Sequence, residues 1–252
     1  MPTKILKFGG SSIANAERII SVYNIIKKKP KTYDYAIIFS ALKGVTSNLK
    51  ALAKKASRKK KYDSELNDLI VLHMDCVDQL SFIKNKKMEE SLDRIFNDLK
   101  SKLSSIYSKN HLSSKDLDKI FSFGEILSTL IISNYFNHKG IASEQLDARN
   151  VIVTDNNFGN AFVHYQRTFT KIRRYCAGRK RLQIITGFLG ATLAGETTTI
   201  GRNGSDYTAT IFGAALNAKK IEIWTNIDGI KSANPNLVEN SETISDITYE
   251  EA

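Results

Sequence analysis

Two glycine-rich turns, one near each end, constrain this chain more than any other feature, because each sits between strand-like sequence and a helix. Residues 198–235 read TTIGRNGSDYTATIFGAALNAKKIEIWTNIDGIKSANP. That segment joins a turn carrying Gly201 and Gly204 to Arg202, Ser205 and Asp206, then to a helix of small residues and an apolar strand. The other turn is KFGGSS, from Lys7 to Ser12, directly after a short apolar run. Without a Cβ, a glycine lets backbone N–H groups approach an anion closely. Two such turns are what a chain needs to hold a nucleotide's phosphates.

The pattern along the chain is mixed α/β. Lys4 to Phe8 alternates as a strand. Apolar residues at Ile19, Ile20, Tyr23 and Ile26 follow a helical period that Pro30 stops. YAIIFS from Tyr35 to Ser40 reads as a fully buried strand. Strand, helix, strand in this order predicts a parallel pair. Helical patterns then dominate from Thr46 to Lys60, from Ser64 to Tyr107 with a break near Lys84 to Lys87, and after Ser113 and Ser114, which can cap the next helix. Strands return at 140–146, at Val151 to Thr154 and at Leu182 to Thr186. A helix is expected at Phe162 to Tyr175, a Thr- and Gly-rich hairpin at 190–200, a helix at 206–216 and a strand at Lys220 to Thr225. The expected fold class is α/β, with a mainly parallel central sheet and a helical insertion at about 45–137.

Composition narrows the function classes. The net charge is +11, but the lysines fall in scattered runs with no aromatic interleaving, so nucleic-acid binding is not expected. No apolar run is long enough for a transmembrane helix, and MPTKILKFGG lacks the h-region of a signal peptide. Cys76 and Cys176 form no disulfide framework, so a reduced cytoplasmic setting is the default. The four histidines show no metal spacing, and no resident metal site is expected.

Residue chemistry singles out several positions, each with a plainer alternative. Lys7 beside Gly9, Gly10 and Ser11 can place a cation where phosphate charge builds, or KFGGSS can be an ordinary strand–helix turn. The Walker A spacing is absent. Ser40 and Thr46 follow the second strand, where hydroxyls either face a ligand crevice or cap a helix. Glu125, in FGEILS on an otherwise apolar helix face, must be paired, ligand-bound, at a helix start or simply solvated. Asp147 and Arg149 read as structural, and GFLG from Gly187 to Gly190 as a tight bend. Arg202 has the fork geometry for a carboxylate, while Ser205 can cap a helix and Asp206 suits its first turn.

KFGGSS, FGEILS, GFLG and above all GRNGSDYTA together resemble the aspartate kinase family, and the NAERIISV and VTSN segments also resemble its bifunctional aspartate kinase–homoserine dehydrogenase branch, which the chain is most like. The resemblance runs from about Lys4 to the last residue. It implies the amino-acid kinase fold, an α/β/α sandwich, and phosphorylation of the L-aspartate side-chain carboxylate by ATP with Mg2+. It assigns Lys7 and Asp206 to catalysis, and Ser40, Thr46, Glu125, Arg202 and Ser205 to the amino acid, with Glu125 reading the α-ammonium. Gly9, Gly10, Ser11, Thr225, Asn226 and Asp228 would hold the nucleotide. Two positions depart from the family pattern. Asn226 stands where the family's turn carries its first Asp, and Ala233-Asn234-Pro235 replaces an Ala-Asp-Pro tripeptide, so each change removes a carboxylate. In the family the kinase domain continues past this point, through an FGAKVLHP-like segment, and regulatory ACT domains usually follow. Residues 1–252 are therefore expected to be a C-terminally incomplete catalytic domain. A homo-oligomer is compatible with this reading. The alternatives are a degenerate, non-catalytic fragment or another amino-acid kinase of the same fold.

Overall fold

The computed structural model describes residues 1–81, 86–225, 229–234, 237–238, 240–248 and 250. Asn226 and Asp228 lie outside the described residues, as does Pro235.

Five strands form one parallel sheet in the order β3-β4-β2-β1-β7. They are β1 (Thr3–Phe8), β2 (Asp34–Phe39), β3 (Ser143–Leu146), β4 (Leu182–Thr186) and β7 (Lys220–Trp224). Strands β5 (Leu189–Ala191) and β6 (Thr197–Thr199) make the expected antiparallel hairpin. The register sets Ile5 opposite Ala36 and Lys7 opposite Ile38 and Ile223.

Strand alternation sorts side chains onto two faces. Leu6, Phe8, Ile37, Phe39 and Ile184 join one buried cluster with α1 (Ala16–Lys27), α2 (Val45–Ala56), α3 (Asp63–Gln79), α4 (Lys86–Lys109) and α5 (Ser114–His138). Ile5, Ala36, Ile38 and Ile185 join the other with α6 (Tyr165–Cys176) and α7 (Gly204–Ala215). The result is an α/β/α sandwich. On the first face the rings of Phe8 and Phe39 stack with centroids 5.5 Å apart, and Phe8 stacks on Trp224 at 5.6 Å. This aromatic row spans β2, β1 and β7 just below the carboxyl edge of the sheet. Among the described residues no helix is long and apolar enough to cross a membrane.

Several local expectations are corrected. The sequence pattern places the start of the first helix near Ala14, and the structure places it two residues on, at Ala16. Residues Gly10–Ile13 form a 3₁₀ turn, and α1 begins at Ala16, capped by Asn15 Oδ1 accepting from Arg18 N at 3.0 Å. Val151 to Thr154 is not a strand but makes only isolated bridges, Val153 with Ala191 and Thr154 with Val163. Ser113 caps α5 as expected, in a full capping box with Asp116.

Phe39 is fully buried and stacks on Phe8. Phe39→Ala should cost about 3–5 kcal/mol of unfolding free energy, read from urea denaturation. A loss below about 1 kcal/mol would contradict the aromatic row as a main support of the sheet.

Candidate active site

In a parallel sheet the strands all end on one edge, and ligands bind outside it. Here Gly9, Ser40, Asp147, Gly187 and Thr225 directly follow β1, β2, β3, β4 and β7. The candidate residues from distant parts of the chain are collected there by topology.

Lys7 shares the strand parity of Ile5 and so lies on the α7 face. A lysine between two isoleucines in a central strand needs a partner. Its side chain is only 12% exposed, and Nζ lies 2.7 Å from Asp206 Oδ1 in the first turn of α7. Asp206 Oδ1 is itself buried, and this contact is an ion pair rather than a well-angled hydrogen bond. The Asp206 side chain as a whole is 41% exposed, so Oδ2 is its accessible oxygen. Gly9 lies over the same ammonium, since a Cβ there would come within 3.5 Å of Lys7 Nζ. Together, the N-terminus of α7, a lysine and a glycine backbone face one point at the edge. That arrangement suits an anion.

Ser40 ties the layers together. Its N–H donates to Phe8 O at 3.3 Å and its Oγ to Ser205 Oγ at 3.0 Å, while its carbonyl accepts from Ser128 Oγ at 2.8 Å. One residue therefore links β1, α7 and α5. Ser205 does not cap α7. The cap position is Asn203, at φ 55°, and Ser205 lies inside the helix, buried against Gly187. A Cβ on Gly187 would stand 2.6 Å from Ser205 Cβ, so close helix–strand approach requires glycine there. The GFLG bend also differs from expectation. Its left-handed residue is Phe188, at φ 67°, and neither flanking glycine has a positive φ. Phe188 N donates to Thr208 Oγ1 at 2.9 Å, which holds the turn onto α7. A phenylalanine in that region is strained, and such strain concentrates at functional turns.

Glu125 lies in the middle of α5, only 3% exposed. It is neither solvated nor at a helix start. Gly124 lets α5 approach the end of β2, because a Cβ there would be 2.9 Å from Ala41 Cβ. Burial pushes the Glu125 carboxyl up to about 8, opposed by hydrogen bonds from its own backbone N–H and that of Ala41. Its Oε2 has no hydrogen-bond partner among the described residues. A buried carboxyl oxygen left open at a ligand edge is costly unless something arrives to meet it.

The remaining candidates also lie at or near the edge. Thr46 is half-buried in the first turn of α2, not in a loop. Arg202 is exposed just before α7, and no ion pair to it is found among the described residues. Ser11 sits in the 3₁₀ turn and Thr225 is exposed after β7. Asp147 and Arg149 pair with each other at 2.9 Å, and Arg149 Nη1 donates to Thr197 Oγ1, a structural clasp as expected. Sequence reasoning missed Asp118. It is fully buried, accepts from Gly159 N, Thr199 N and Thr199 Oγ1, and anchors the β5–β6 hairpin to α5. Nothing in the local pattern distinguishes it from a first-turn helix Asp. Among the described residues no three His, Cys, Asp or Glu side chains are grouped to hold a metal.

The Amino acid kinase family model matches residues 2–252. Aspartokinase 1, chloroplastic, of Arabidopsis thaliana is 32% identical over 259 residues, covering 99% of this chain and 44% of that protein. A bifunctional aspartokinase/homoserine dehydrogenase of Buchnera aphidicola is 27% identical, covering 99% of this chain and 31% of that protein. Escherichia coli aspartokinase III, solved in complex with aspartate and ADP, superposes with a TM-score of 0.87 at 26% identity, over 96% of this chain and 53% of that one. The chain thus spans about half or less of the length of these relatives.

Glu125 gives a pH signature. Its carboxyl is raised from 4.5 to about 8 in the folded state, so the fold binds a proton that the unfolded chain releases. That contribution is fully present below about 4.5 and is lost as pH rises through about 8. Glu125→Gln keeps the neutral shape and should flatten the decline of stability across this window, measured by chemical denaturation at several pH values. Parallel pH profiles in the two proteins would show that Glu125 is not the buried acid described here.

Proposed function

The chain belongs to the amino acid kinase family, and on that premise we propose that it transfers the γ-phosphoryl group of ATP to the side-chain carboxylate of L-aspartate, giving 4-phospho-L-aspartate. In this reading the reaction is the opening step towards lysine, threonine and methionine. The observation that carries the reading is the Lys7–Asp206 pair at the carboxyl edge, with the unmet carboxyl of Glu125 on the other side of Ser40. The aspartokinase names of the relatives, and the aspartate and ADP in the aspartokinase III complex, support it.

The chemistry is a substitution at phosphorus. A carboxylate oxygen of aspartate forms a bond to the γ-phosphorus as the bond to the β-bridging oxygen breaks, and ADP leaves with that electron pair. The attacking carboxylate is already ionised, so the nucleophile needs no base. The protein's work is positioning and charge stabilisation. Lys7 neutralises charge on the transferred group, and Asp206 holds its ammonium in place. Arg202 grips the α-carboxylate bidentately, Glu125 receives the α-ammonium, and Ser40, Thr46 and Ser205 shape the amino-acid side. Gly9, Gly10, Ser11 and Thr225, with Asn226 and Asp228, hold the nucleotide. Mg2+ bound with ATP would supply neutralisation of phosphate charge. Among the described residues the accessible oxygen of Asp206 would be suited to face it. Within this reading residues 1–252 belong to one catalytic domain with its helical insertion at about 45–137, in the cytoplasm, and a homo-oligomer is compatible with it.

An acyl phosphate is trapped by hydroxylamine, so the test is aspartate-dependent hydroxamate formation from ATP. Turnover is expected with aspartate over glutamate, and it should fall on the order of 10²–10³-fold in Lys7→Ala. Arg202→Ala should raise KM for aspartate more than it lowers kcat. Preference for glutamate would assign another amino-acid kinase activity. No magnesium-dependent ATP binding by a folded sample would make the chain a non-catalytic remnant.

A further inference from the structure

The opposite edge of the sheet holds a second concave site. A groove of about 1320 Å³ runs along the amino ends of β1, β2 and β4. Eight Lys and Arg side chains line it, against Asp34 as the one acidic lining residue among the described residues. Helices α1, α5, α6 and α7 all end here, and cations at helix C-termini are ordinary complements to the backbone carbonyls.

That ordinary role accounts for only part of the charge. Arg173 Nε donates to Ala215 O at 2.6 Å, closing the end of α7. Arg179 Nε donates to Tyr175 O at 2.7 Å and its Nη1 to Glu144 at 2.8 Å. Lys29 pairs with Glu222 at 2.5 Å. Lys139 lies 5.8 Å from the Tyr135 ring centroid. The side chains of Lys27, Lys31, Lys180 and Arg181 remain, exposed and without a hydrogen bond or ion pair among the described residues, and of these only Arg181 also feels a nearby carboxylate, Glu144. They stand around an apolar floor of Ile26, Ile141 and Leu182. A second copy docking through this face would set like charge against like charge. A small polyvalent anion fits both the excess charge and the open groove.

We propose that this groove binds a phosphate-bearing small molecule with several negative charges, at a site separate from the catalytic edge and independent of the activity assigned there. Lys27, Lys31, Lys180 and Arg181 contact its phosphate oxygens, and the floor takes its less polar part.

The test uses inorganic tripolyphosphate as probe, titrated calorimetrically into the Lys7→Ala protein, where the Lys7 ammonium at the catalytic edge is absent. A second sample adds Lys27→Gln, Lys31→Gln and Arg181→Gln. These positions are exposed, and an unchanged thermal transition checks that the fold is kept. The expected result is binding in the first sample, weakened at least about tenfold in the second. Equal affinity in both, or no binding in the first, would overturn the proposal. So would a short DNA duplex that binds through the same three residues and is not displaced by tripolyphosphate, because the groove would then be part of a nucleic-acid surface.

Discussion

The ion pair between Lys7 and Asp206 is the interaction on which the candidate site depends. A lysine facing inward from an interior strand is tolerated because its ammonium reaches the first turn of α7, 2.7 Å from the carboxylate. The pair sets how α7 sits on the sheet, and it holds a cation beside Gly9 rather than letting it snorkel into water. Strand parity does the rest. Shifting β1 by one residue would move Lys7 to the aromatic face and Phe8 towards α7. The stacking of Phe8 between Phe39 and Trp224 therefore also protects the placement of Lys7.

Around this pair, close backbone approach recurs. Gly187 lets Ser205 and α7 approach the end of β4, and Gly124 lets α5 approach the end of β2. Ser40 lies between them and hydrogen bonds to both helices. The two halves of the site, the cationic side at Lys7 and the acidic side at Glu125, are held on opposite faces of the sheet by one hydroxyl and one carbonyl of the same residue. This explains how a carboxyl as buried as Glu125 persists. Its helix is anchored at Ser40, so it cannot rotate the group into solvent. An arriving ammonium would favour its ionised form, while burial alone favours the neutral one.

Much of this was legible in the chain because the motifs lie at strand ends. KFGGSS, the end of YAIIFS and GRNGSDY each mark where a parallel strand or its neighbour meets the ligand edge, and strand alternation puts Lys7 on the face of α7. The parts that were not legible depend on tertiary competition. Asn15 outcompetes Ala14 as the start of α1 through a cap that local periodicity does not reveal. Ser205 looks like a cap, yet Asn203 takes that position in a left-handed conformation and frees the hydroxyl for Ser40. GFLG suggests glycine-driven bending, but the left-handed residue is Phe188, and Gly187 and Gly190 are there for close contact. The burial of Asp118 depends on the β5–β6 hairpin folding back over α5, a contact across 81 residues of sequence.

The central claim is that Lys7 and Asp206 act as a unit. A double-mutant cycle with Lys7→Gln and Asp206→Asn, read in aspartate-dependent acyl phosphate formation, tests it most directly. The account predicts that each single change costs on the order of 10²-fold or more and that the double variant is about as slow as the slower single one. Losses that multiply, with the double variant as slow as the product of the two singles, would show that the two residues work independently and would contradict the account.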